Sequence, residues 1–89
     1  MGSAISGSSL CRRFDVALGE RIRAVRRKTG QSLSKLAPQL GVSAATLSGI
    51  ERGSRTIEPA ELVDLARVLA PTGDPVKTAA SWLPDPLKV

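Results

Sequence analysis

Residues 32–53, SLSKLAPQLGVSAATLSGIERG, hold two short helical patterns parted by Gly41 and Val42. Ser32 suits the cap of the first, because its side-chain oxygen can accept from a free backbone N–H of the opening turn. Leu33, Leu36, Ala37 and Leu40 then follow the i, i+3, i+4, i+7 spacing of one helix face. Gly41 stops that pattern, since glycine tolerates the left-handed backbone that closes a helix. The second pattern restarts at once, with Ser43 as cap and Val42 placed to pack on Leu47. Leu47 and Ile50 mark its buried side, and Gly53 ends it.

Two short helices joined by a tight, glycine-containing turn form a helix-turn-helix, which sets its second helix in a DNA major groove. The spacing alone fits any pair of antiparallel helices, so the remainder of the chain must decide. Its 89 residues allow one small domain. A core of that size supplies roughly 3–5 kcal/mol unless it is well packed or stapled. Cys11 is the only cysteine, so neither an internal disulfide nor a cysteine-based zinc site is available. It reads as a small apolar residue, and a redox-sensing role lacks a partner thiol. Histidine is absent, which removes the commonest general base and the commonest metal ligand together. With no carboxylate pair set for acid–base work and no glycine pattern that cradles a phosphate, no enzyme and no cofactor are expected. No apolar run is long enough for a membrane span or a signal peptide, so a soluble, cytoplasmic protein without a membrane partner is expected.

The net charge is +5 and it is concentrated. Arg12, Arg13, Arg21, Arg23, Arg26, Arg27 and Lys28 stand against only Asp15 and Glu20, so residues 12–28 carry the whole excess. Such a surface favours a polyanion; taken alone it reads more readily as a solvated helix face, and beside a helix-turn-helix the weighting reverses. Residues 1–13 are expected to be a flexible arm, because MGSAISGSS offers nothing to bury against the entropy of ordering. The first helix is expected from about Asp15 or Val16, with Asp15 as cap, to about Thr29, with Gly30 as stop. Leu18, Ile22 and Val25 form its apolar stripe, and the basic residues in its last turns also complement the helix dipole.

Pro38 lies inside the second helix, where a proline costs on the order of 3 kcal/mol unless the helix bends or stays short. A fourth helix follows Glu58-Pro59, with Leu62, Leu65, Ala66 and Leu69 as its stripe. A fifth follows Asp74-Pro75, carrying Val76, Ala79, Ala80 and Leu83. Trp82 beside that stripe either caps the core or makes a dimer contact, tryptophan being enriched at interfaces. Val76, Ala79, Trp82 and Leu83 are thus the dimer candidates. The expected division is an arm at 1–13, a helix-turn-helix domain at 14–71, and a C-terminal helix with a loose tail at 72–89.

LGERIRAVRRKTG, the quoted stretch with its closing IERG, and LVDLARVLA together resemble the phage Cro/repressor (XRE-type) helix-turn-helix family, from about Leu18 to Leu69. The resemblance implies an all-α, compact five-helix, lambda-repressor-like DNA-binding domain with the motif on helices 2 and 3. It implies a dimeric transcriptional regulator, of repressor or Cro-like type, on a pseudo-palindromic double-stranded operator. Carried over by position, the base-facing residues are Ser43, Ala44, Ala45, Ser48 and Gly49. Phosphate or minor-groove contacts fall to Ser32, Thr46, Arg52 and Arg55, and to Arg12 and Arg13 if the arm adds backbone contacts. Glu51 is implied to pair with Arg26; by spacing alone both fit solvent equally.

Two departures stand out. Many members carry glutamine at the start of the second helix, where this chain has Leu33. Ala44, Ala45 and Gly49 also lack the long polar arms that discriminate bases by roughly 1–3 kcal/mol per bidentate contact. Specificity is therefore expected from thymine methyls, from Ser43, Thr46 and Ser48, and from DNA shape. The bare face leaves room for a second reading, an antitoxin or other protein-interaction module that also binds its own operator.

Overall fold

The computed structural model describes residues 2–84, with side chains from residue 12 onward. The helices are α1 (Gly2–Lys28), α2 (Leu33–Gln39), α3 (Ala44–Arg52), α4 (Pro59–Leu69) and α5 (Pro75–Trp82). Among the described residues there is no strand.

Local chemistry accounts for most boundaries. Ser32 Oγ accepts from the Lys35 amide at 3.2 Å, and Ser43 Oγ from the Thr46 amide at 3.1 Å. Asp74 Oδ1 accepts from the amides of Val76 and Lys77 at 2.9 and 3.3 Å. At α4 the Glu58 amide donates back to Glu61 Oε1 at 3.1 Å, with Pro59 in the first turn. Pro38 falls near the end of the seven-residue α2. Its missing N–H removes a bond to Ser34 only, so the short helix survives. The turn after it is tight: Gly41 takes φ +70°, and the Val42 amide donates to Ala37 O at 3.1 Å.

The N-terminal expectation needs correction. The backbone is helical from Gly2, so α1 starts well before Asp15, which is not a cap but an interior residue of the helix. Helix propagation explains this: once 15–28 is helical, each added residue gains a bond, and no proline precedes it. Met1 and the tail residues 85–89 lie outside the described residues.

All five helices share one core. Leu18 and Ile22 meet Leu36 and Ala37, Leu47 and Ile50, then Leu62, Leu65, Ala66 and Leu69, with Ala79 and Trp82 closing it. The fifth helix therefore belongs to the same domain as the motif, and position 72 is no structural boundary. Ala79 and Trp82 are 4% and 8% exposed, which removes both as dimer candidates. Their apolar surface is already spent on α4 and α1. Val76 and Leu83, at 63% and 44%, remain open.

The crossing of α1 over α3 is unusually close. A Cβ at Gly19 would stand 2.5 Å from the carbonyl oxygens of both Ile50 and Glu51. Gly53, at φ +74°, would place one 2.5 Å from Val16 Cα. Two glycines thus let the backbones meet where any side chain would separate them.

Candidate nucleic-acid interface

The position of α3 is fixed from α1 by a buried ion pair. Arg26 Nε donates to Glu51 Oε2 at 2.6 Å and Nη2 to Oε1 at 3.0 Å. The remaining Nη1 donates to Gln31 O at 2.8 Å, which ties the start of the α1–α2 turn to the same guanidinium. The hydrogen bonds that Arg26 donates to Glu51 raise its pKa above the ordinary value, and burial, which acts the other way, does not cancel them. Among the described residues no buried side-chain polar atom lacks a partner. The pair therefore costs less than an isolated buried charge and makes α1 and α3 one rigid unit.

With Leu47, Ile50 and Glu51 turned inward, α3 leaves one arc open. Ala44, Ala45 and Arg52 are exposed there and Ser48 is half-buried. Residues 44, 45, 48 and 52 share that side by the helical repeat. Gly49, expected to face bases, does not belong to it. It is buried under the returning loop: the Ser54 amide donates to Gly49 O at 3.0 Å, and Ser54 Oγ to the same oxygen at 3.1 Å. Arg55 Cβ lies 3.8 Å from where a Gly49 Cβ would stand.

The polar groups of α3 are partly committed at home. Ser43 Oγ donates to Thr46 Oγ1 at 2.9 Å while accepting the Thr46 amide. Arg52 Nε donates to Ser48 O at 3.3 Å. Arg55, in the loop, lies 3.9 Å from Glu61 Oε2 with half its side chain in solvent. Ser32 is exposed at the N-terminus of α2.

The basic residues of α1 divide by direction. Arg26 is consumed by Glu51, and Arg21 Nη1 reaches back to Ser81 O at 3.5 Å, at the end of α5. Arg12 instead stands beside the motif. It lines a hollow of about 490 Å³ together with Asp15, Val16, Arg52, Gly53, Ser54 and Thr56. Thr56 Oγ1 donates to Asp15 Oδ2 at 2.8 Å, which holds the loop after α3 against α1. Arg13 is exposed but is not among the residues that line this hollow.

The sequence reading missed three residues that shape this surface: Gly19, Asp15 as a loop anchor, and Thr56. Only Gly19 left a signal, as an isolated glycine inside a helical pattern, which marks close backbone approach.

The model of a family described as a helix-turn-helix domain matches residues 17–79. No curated protein and no solved structure matches the chain. No helix among the described residues is long and apolar enough to cross a membrane.

Proposed function

Because the chain belongs to the helix-turn-helix domain family, a DNA-binding type, we propose that it binds double-stranded DNA sequence-specifically as a small transcriptional regulator of the Cro/repressor type. In this reading α3 enters the major groove by the arc of Ala44, Ala45, Ser48 and Arg52. The observation that carries it is that this arc holds the exposed residues of α3, while Leu47, Gly49, Ile50 and Glu51 are buried and Glu51 is ion-paired to α1. Arg12 and Arg52, facing one hollow, are suited to a backbone phosphate, and Arg55 to the sugar–phosphate edge beside it. Ser32 and Thr46 lie where the resemblance puts further phosphate contacts.

The regulator acts in the cytoplasm as a homodimer on a pseudo-palindromic operator whose half-sites lie about one helical turn, roughly 34 Å, apart. Val76 and Leu83 are the dimer residues left exposed for that contact. Repression follows from occupying a promoter, and no cofactor or catalysis is needed. A gel shift with duplex DNA from upstream of the protein's own coding region tests this. Ala45→Glu sets a carboxylate against the phosphates and should abolish the shift while the thermal midpoint stays unchanged. Full binding by a folded Ala45→Glu protein would refute the placement of α3.

A further inference from the structure

We propose that the first turn of α3 selects base pairs by the methyl group on pyrimidine C5, so that thymine and 5-methylcytosine are equivalent opposite Ala44 and Ala45. The inference rests on the reading of α3 as the DNA-facing helix and adds what that helix recognises.

The hydrogen-bond pattern of the turn carries the argument. Base pairs are told apart by side chains that offer a donor or acceptor at a fixed place in the groove. Ser43, the first polar group of the turn, gives its only hydroxyl hydrogen to Thr46 Oγ1 and accepts the Thr46 amide with the same oxygen. Its one donor hydrogen is therefore spent within the helix, and its oxygen already accepts once. Arg52, the one long arm on the arc, stands two turns further along and holds its Nε on Ser48 O. What the turn presents outward is the exposed Cβ of Ala44 and Ala45. A methyl surface cannot tell a carbonyl from an amino group, but it gains when it excludes water from another methyl. In the major groove that partner is the C5-methyl of thymine, and methylated cytosine carries the same group at the same ring position. The short side chains also let the helix backbone approach the base edges closely enough for that contact.

A purified full-length chain is used to select its preferred site from a randomised duplex library. The site is then resynthesised with deoxyuridine replacing each thymine in turn, which removes one methyl and nothing else. At the most sensitive positions the affinity should fall about four-fold per methyl. At those positions a cytosine–guanine pair should weaken binding, and 5-methylcytosine should restore it to within about two-fold of thymine. In Ala44→Gly or Ala45→Gly the deoxyuridine penalty at one position should vanish. Ala45→Ser keeps the Cβ and should keep the penalty, which separates loss of the contact from loss of the helix. An enriched site whose affinity ignores deoxyuridine, or prefers 5-methylcytosine no more than cytosine, overturns the methyl inference and leaves DNA binding standing. A library that yields no enriched site overturns the DNA reading and the inference with it.

Discussion

Replacing Gly19 by alanine sets two opposed effects against each other, and the structure fixes the sign of the result. Inside a helix, alanine is more favourable than glycine by about 1 kcal/mol, so α1 considered alone is stabilised. The crossing with α3 opposes this. The new Cβ would stand 2.5 Å from two backbone carbonyl oxygens, those of Ile50 and Glu51, and a real Cβ essentially never comes closer than 3.0 Å. Backbone oxygens on a rigid helix cannot rotate away, so α1 must withdraw by at least the half-ångström difference. A gap of about that size forfeits roughly a quarter of the attraction between facing atoms of Leu18, Ile22, Leu47 and Ile50. The withdrawal also stretches the 2.6 Å bond between Arg26 and Glu51. Overpacking of this kind costs about 1–3 kcal/mol, and here, with backbone on both sides, the upper part of that range applies. The net loss is then about 2 kcal/mol, or some 8–16 °C in Tm for a domain of this length. Urea unfolding followed by helical circular dichroism measures it. Ala24→Gly, on an exposed face of the same helix, should lose about 1 kcal/mol by propensity alone. A Gly19→Ala protein as stable as its parent would refute the close crossing.

The remaining predictions concern the ion pair, the core and the charge beside the motif. Glu51→Gln leaves the Arg26 guanidinium buried without its carboxylate and should cost about 3–5 kcal/mol, most of what a domain of this size has. The paired replacement Arg26→Met with Glu51→Leu should recover most of that loss in the same unfolding assay. Since the Arg26 pKa is raised, its stabilisation is fully present below the ordinary arginine value and is lost only as pH climbs through the raised one. Across the neutral range, therefore, unfolding free energy should show no dependence on pH from this group. Trp82→Ala should destabilise the chain by about 3–5 kcal/mol, because the ring fills the core. An unchanged Tm with an altered oligomeric state in sedimentation would show instead an interface role. Arg12→Ala should weaken DNA binding alike across sequences and lower the salt slope by about one. An unchanged slope would remove Arg12 from the phosphate contacts.

What the sequence determined by itself is the list of helices and the motif they form. Capping by Ser32, Ser43 and Asp74, the proline at position 59 and the stops at Gly41 and Gly53 are interactions among neighbours, so they are legible without a fold. The apolar stripes of α1, α3 and α4 carry the same local information as to which side turns inward. Only the tertiary structure decided which of the remaining surface stays open. Gly49 lies on a helix side that periodicity leaves free, yet the loop returning through Ser54 covers it. Trp82 fits a core or an interface equally by spacing, and its neighbours on α4 and α1 choose the core. Asp15 has the chemistry of a cap, but in α1 it serves Thr56, far along the chain. Each of these depends on a distance between segments remote in sequence, and a residue pattern records periodicity along one helix but no such distance.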